Sequence, residues 1–323
     1  MKNRLLYLSR EDVLAVELSM SEVIDALEVM FREKAKGRVE MPPKPGIHPA
    51  TDAFIHAMPA YIPAMRSAGM KWVSGYPENP KKGLLYINGL LILNDPETGL
   101  PTAVMDCARI TALRTGAATA VAARYLARPD SEVVGILGCG IEGRTNLEAL
   151  LSIFNIKQVR VYDIHPIAQE SYIRDVREWS DVDIVPVTKA QQAVTGCDIV
   201  VTAGPILKTP HATIQASWLE EGAFASLVDF DSYWHVDALR GIDRIFVDDL
   251  AQLEYYKTVG YFKGFPCVEG ELAELVSGKK DARKSPRERT MTCNLGLALE
   301  DMSVAPLVVQ SALKNGVGTW LPL

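Results

Sequence analysis

A chain of 323 residues, 48 % apolar and 23 % charged with a formal net charge of −6, is long enough for two domains and has the composition of a protein that buries a sizeable core. The negative balance supplies no general attraction to nucleic acid or to an anionic membrane, so neither is expected as a partner and any anionic ligand must be held by a few placed cations. Five scattered cysteines, Cys107, Cys139, Cys197, Cys267 and Cys293, never spaced C-x-x-C, argue against a disulfide framework and against a metal site.

The opening MKNRLLYLSRED has only a short apolar run between charges and is not expected to act as a signal peptide. No charge-free apolar stretch is long enough to span a bilayer, and the cytoplasm is the expected location. Residues 21–36 place Val23, Ile24, Leu27, Met30 and Phe31 at helical spacing, with Ser21 as N-cap and Gly37 as stop. From 39 to 106, short apolar segments broken by Pro and Gly predict a mostly antiparallel sheet, including a hairpin turning at Asp95 to Gly99. Residues 108–127 predict a helix with a side of Ala, Gly and Thr.

From 132 onward strand-like and helix-like segments alternate: EVVGIL, NLEALLSI, QVRVYD, a helix to about 179, VDIVPV, AQQAV, DIVVTAG, WLEEG, AFASLV and DRIFVDD. Such alternation predicts βα units around a parallel sheet. A final helix is predicted from about 294. The fold class is therefore α/β, a Rossmann-type doubly wound parallel sheet preceded by a mostly antiparallel α+β domain.

The stretch GILGCGIEG carries Gly138, Gly140 and Gly143 in a G-x-G-x-x-G pattern between a predicted strand and a helix, and Asp163 ends the next strand 20 residues on. Gly138 permits the turn, Gly140 lets a pyrophosphate approach, and the loop residues Cys139, Ile141 and Glu142 open a helix whose amides complement its charge. Asp163 either accepts hydrogen bonds from the ribose hydroxyls, which favours NAD(H) over its 2′-phosphorylated form, or caps the following helix. Two later strands end on the same side of such a sheet, delivering Thr202 and Ala203, then Asp229 and Asp231. A carboxylate there, flanked by Phe230, Tyr233 and Trp234, is either a base shielded from water or a turn-stabilising Asp.

Ahead of the glycine motif, Arg114 lies among small residues in ITALRTGAA, suited to gripping a carboxylate with two parallel hydrogen bonds. Lys71, between Met70 and Trp72, is either a surface lysine or a buried ammonium available for proton transfer.

The stretches MPPK, HAMPAYIP, GMKWVSGYPENPKKGL, LILNDPETGLPTAVMD, ITALRTGAATAVAARYLAR, GILGCGIEGRTNLEAL and GLALEDMSV together resemble the ornithine cyclodeaminase/μ-crystallin family, and the N-terminal half looks most like its archaeal-type alanine dehydrogenase branch. The resemblance implies a substrate-binding and dimerisation domain over 1–118, completed by 303–323, and an NAD-binding Rossmann domain over 119–302, assembled as a homodimer. It assigns Arg114 to the substrate α-carboxylate with Lys44 beside it, Lys71 and Asp231 to catalysis, and His56 to a variable substrate-contacting position. The family's Pro-Gly-Lys-x-Glu-Leu after the aspartate is replaced here by SYWHVDAL, which leaves Asp229 and Asp231 both in play.

The implied activity is hydride transfer between NAD(H) and the α-carbon of a small amino or imino acid. Water attack on the imine makes the enzyme a dehydrogenase, the reverse hydride step makes it an imine reductase, and internal amine attack with ammonia loss makes it a cyclodeaminase. His56 is a poorer partner than a carboxylate for the distal ammonium of ornithine, so the first two rank higher. A non-catalytic crystallin-like binding protein is the alternative of another class.

Overall fold

The computed structural model describes residues 4–323. Two compact units divide the chain, Met1–Arg114 with Leu297–Leu323, and Thr115–Gly296. The first is built on a seven-stranded sheet in the order Thr319–Pro322, Arg4–Leu8, Pro101–Asp106, Ile87–Asn94, Ser67–Gly75, Phe54–Ile62, Gly46–Ile47. Its neighbours pair antiparallel except Arg4–Leu8 with Pro101–Asp106. The predicted hairpin forms, closed by the Asp95 amide on Leu100 and the Gly99 amide on Asp95.

The predicted first amphipathic helix spans Met20–Ala35, and Val23, Ile24, Leu27, Met30 and Phe31 are all buried. Its N-cap is Ser19 rather than Ser21, because Ser19 and Glu22 form a reciprocal capping box that Ser21 lacks. The C-terminal helix Ala298–Asn315 packs on this helix and covers strands Phe54–Ile62 and Ser67–Gly75. It starts later than the sequence suggested because Gly296, at φ 77°, leaves helical space. Pro306 lies inside it and has no N–H for the carbonyl of Met302. The Ser67 hydroxyl donates to that carbonyl at 2.6 Å, which fixes the helix against the strand that carries Lys71.

The second unit holds eight parallel strands in the order Gly270–Glu271, Arg244–Val247, Thr290–Cys293, Phe224–Leu227, Ile199–Thr202, Val133–Leu137, Gln158–Tyr162, Asp183–Pro186. The order reverses beside Val133–Leu137, as a doubly wound sheet requires. AQQAV forms only a short 3₁₀ turn, Ala190–Ala193, and in place of a helix at WLEEG there is a short 3₁₀ turn ending at its first residue, Ala216–Trp218. Strand Thr290–Cys293 sits well inside the sheet and was not legible beforehand, since half of TMTC is threonine. Both threonines are buried and satisfied, Thr290 Oγ1 on the Leu126 carbonyl at 2.6 Å and Thr292 Oγ1 on Asn294 at 2.9 Å. Among the described residues no helix is long and apolar enough to cross a membrane.

Candidate active site

The glycine motif connects strand Val133–Leu137 to helix Ile141–Leu151. Gly138 has φ 107°, and a Cβ there would stand 2.5 Å from the Ala203 carbonyl oxygen. A Cβ on Gly143 would stand 2.2 Å from the Gly138 oxygen, so the helix closes tightly on its own turn. At Gly140 nothing lies within 4 Å of that position. The open space there, next to helix amides with no side-chain cap, fits a pyrophosphate. Arg144 supports the loop from below, donating to the carbonyls of Cys139 at 2.6 Å and Gly140 at 2.9 Å while pairing with Asp175 at 2.7 Å.

Asp163 follows strand Gln158–Tyr162, and its oxygens accept from the amides of Cys139 and His165, each at 2.8 Å. Asp163 thus ties the glycine loop to its own turn and does not cap helix Pro166–Val176, whose N-cap is His165, and each oxygen keeps a lone pair for a ribose hydroxyl. The next residue, Ile164, is exposed and apolar, and Arg144 is committed elsewhere. Thr202 and Ala203 end the adjacent strand on the other side, with the Ala203 amide on the Leu137 carbonyl at 2.8 Å.

The two aspartates after strand Phe224–Leu227 have different surroundings. Asp229 accepts from the Thr202 hydroxyl at 2.6 Å and from the Gly204 amide at 2.9 Å, and the Trp234 indole donates to the same Thr202 oxygen at 3.2 Å. Burial raises the Asp229 pKa to about 7 against those hydrogen bonds. Asp229 thus ties two strand ends together. Asp231 is also buried and its pKa is raised by burial, but its Oδ1 has no hydrogen-bond partner. Phe230 between them holds φ 62° and packs against Tyr256, Tyr261 and Phe262. In place of the family's Pro-Gly-Lys, the loop is anchored by Trp234.

In the first unit, Lys71 alternates with exposed Trp72 on strand Ser67–Gly75 and points to the core face between Met58 and Leu91. Its Nζ, fully buried, lies 2.7 and 2.6 Å from the two oxygens of Asp301 and 3.3 Å from Thr111 Oγ1. Burial pulls its pKa below the usual lysine range, and the Asp301 charge opposes that. Arg114 donates through Nη1 to Glu300 Oε2 at 2.9 Å, and its Nε lies 3.5 Å from Asp301 Oδ1. Lys71 and Arg114 are thereby joined through one carboxylate pair.

Lys44 is buried, and its charge, with that of Lys71, reaches His56 on strand Phe54–Ile62. His56 stacks on Phe54 at 4.4 Å between centroids, and burial first, then these cations, lower its pKa to about 3. The imidazole is neutral at any ordinary pH. Glu300 and Asp301 were missed in the sequence. The signal available was two adjacent acids in the first turn of an otherwise apolar segment, which reads equally as an ordinary helix start.

Residues 5–316 match the model of the ornithine cyclodeaminase/mu-crystallin family. The chain is 38 % identical to the alanine dehydrogenase of Archaeoglobus fulgidus, with 97 % of each chain covered. The structure of Thermococcus litoralis Delta(1)-pyrroline-2-carboxylate reductase in complex with NADH and L-proline matches with a TM-score of 0.89 at 34 % identity, covering 97 % of this chain and 99 % of that one. An archaeal alanine dehydrogenase dimer with bound NAD matches at 0.88 and 34 %, covering 99 % and 100 %.

Proposed function

Because the chain belongs to the ornithine cyclodeaminase/mu-crystallin family, we propose that it is an NAD(H)-dependent oxidoreductase moving a hydride to or from the α-carbon of a small amino or imino acid. The observation that carries this reading is the buried Lys71 ammonium on Asp301, coupled to the Arg114 guanidinium. A buried ammonium beside a planar cation suits a substrate with a carboxylate next to a nitrogen. Relatives that act as an alanine dehydrogenase and as a reductase crystallised with NADH and L-proline support the same chemistry.

Bound NAD(H) supplies the hydride. Arg114, with Lys44, orients the substrate carboxylate, and fixed orientation makes the transfer effectively intramolecular. Lys71 moves the proton on the substrate nitrogen, and Asp231, with its unpartnered oxygen, serves as the second proton-handling group; Asp229 is occupied in holding the loop. His56, neutral, offers no charge to a distal ammonium, so dehydrogenase or imine reductase is preferred over cyclodeaminase.

Gly138, Cys139, Gly140, Ile141, Glu142 and Gly143 cradle the pyrophosphate, Asp163 takes the ribose hydroxyls, and Thr202 with Ala203 forms the next edge of the cofactor cleft. The experiment is a panel of small keto acids with ammonia, cyclic imino acids and amino acids, each assayed with both cofactors. Oxidation of NADH by at least one imino or keto acid is expected, and silence across the panel would refute the reading. NADPH should be weaker by roughly tenfold or more, about 1.4 kcal/mol, because Asp163 repels a 2′-phosphate and Ile164 offers it no cation. Equal affinities would remove Asp163 from the ribose.

The working form is proposed to be a cytoplasmic homodimer. Trp72 and Leu90 face each other across adjacent strands of the first sheet and are 44 % and 45 % exposed, an apolar pair that needs a cover. Light scattering at micromolar concentration should give twice the chain mass, and a monomer would contradict it.

A further inference from the structure

The charged and titratable neighbours of Lys71 lie on three of the elements packed around it; the strand opposite it, Ile87–Asn94, carries none. Asp301 and Glu300 face it from helix Ala298–Asn315, Arg114 from helix Ala108–Leu126 with Cys107 just before that helix, and His56 from strand Phe54–Ile62. Thr111 adds a hydroxyl at 3.3 Å that itself donates to the Cys107 carbonyl. Burial holds the Cys107 thiol protonated, with a pKa of about 11, and His56 is neutral. Arg114 repels a proton on Lys71, and Glu300 is turned to Arg114. Asp301 is left as the anion in direct contact, with both oxygens within 2.7 Å of Nζ.

That contact is held from two directions. The Ser67 hydroxyl binds the Met302 carbonyl, four residues before Lys71 on one element and next to Asp301 on the other, so strand and helix keep one register. Glu300 accepts from the Leu297 amide at 3.1 Å and from Arg114 at 2.9 Å, which fixes the first helical turn.

We propose that Asp301 is a positioning residue that keeps Lys71 charged and aimed for proton delivery to the substrate nitrogen, while Glu300 holds the Arg114 guanidinium in the plane that receives the carboxylate. The proposal rests on the oxidoreductase reading above. In the reductive direction the α-carbon accepts hydride, the π electrons of the C=N bond form a new N–H bond with a proton from Lys71, and the electron pair of the broken Lys71 N–H bond stays on Nζ. Solvent then reprotonates Nζ. Burial alone would leave this lysine an amine with no proton to give. Asp301, in contact with Nζ through both oxygens, is the charge that opposes that preference.

Asp301→Asn keeps the size and an acceptor oxygen but removes the charge. Loss of an opposite charge at contact distance is expected to move the alkaline limb of kcat/KM for imine reduction down by roughly 1–3 pH units, with NADH affinity unchanged. Asp301→Glu should restore most of the shift. Glu300→Gln should raise KM and leave the limb where it is. Independently of turnover, the Cε resonance of Lys71 in 13C-lysine-labelled protein, assigned by its loss in Lys71→Met, should titrate lower in Asp301→Asn by the same amount.

An unmoved Cε midpoint in folded Asp301→Asn overturns the proposal, whatever its activity. If that variant fails to fold, Asp301→Ser, which also removes the charge but is smaller, decides in the same way: an unmoved Cε midpoint in it overturns the proposal. A wild-type protein that reduces no imino acid defeats the functional reading, yet the Cε titration still reports on Asp301.

Discussion

Lys71→Met is expected to lower the rate of imine reduction by roughly 10²- to 10⁴-fold, the range for removing a positioned proton donor, while NADH still binds. Methionine matches the lysine stem in length and suits the apolar flank of Met58 and Leu91, so the substitution removes a charge without opening a cavity. It leaves Asp301 buried with Arg114 Nε at 3.5 Å as its cationic neighbour. Breaking a buried ion pair from one side costs about 3–5 kcal/mol of stability, so Tm should fall as well. The two effects separate by assay temperature. Rates measured well below the variant's Tm, with NADH affinity by fluorescence as the fold control, report the chemistry. Turnover within a few-fold of wild type would make Lys71 a structural ion-pair partner only.

Much of the fold was legible because its signals are local. The spacing of Val23, Ile24, Leu27, Met30 and Phe31 identifies one buried helical stripe, and Asp95 to Gly99 closes a hairpin through short-range hydrogen bonds. The glycine motif was legible because Gly138 and Gly143 answer steric demands within a few residues or one adjacent strand, while Gly140 leaves open space at the helix start. Strand Thr290–Cys293 was not, since its threonines are satisfied by groups such as the Leu126 carbonyl, 164 residues away in sequence. The choice of Ser19 over Ser21 as cap depended on which serine has an acid three residues on, a rule that the sequence does contain and that the position of Glu22 satisfies.

The candidate site divides the same way. Lys71 and Arg114 carry chemistry that their residue types announce, but a lysine on a strand is exposed or buried according to what covers it. Here the cover is a helix from the far end of the chain, and Asp301 meets Lys71 across 230 positions. Neither residue alone predicts that encounter. Asp229 and Asp231, two positions apart, were indistinguishable as residue types; their difference lies in Thr202 and Gly204 on the neighbouring strand end, which occupy one aspartate and leave an oxygen of the other free of hydrogen bonds.

Arg114→Lys should lower kcat/KM by roughly 10- to 100-fold, equivalent to the 1.5–3 kcal/mol typical of a lost hydrogen bond to a charged group, and leave NADH affinity nearly intact. The guanidinium is held by Nη1 on Glu300 at 2.9 Å, with Nε 3.5 Å from Asp301 Oδ1. Those contacts fix its plane. A lysine ammonium keeps the charge and can satisfy one of the two carboxylates, but it has no rigid fork to present paired donors to a substrate carboxylate. Glu300, fully buried, would then lose a partner that now opposes the rise in its pKa caused by burial, so it should take up a proton more readily in the variant. The kinetic split tells which property matters. A rise in KM with kcat preserved means that Arg114 holds substrate and transition state equally, whereas a matched fall in kcat and kcat/KM means that orientation for hydride transfer is what the fork supplies. Wild-type values for both would remove Arg114 from the substrate carboxylate, and a parallel loss of NADH affinity would place it at the cofactor instead.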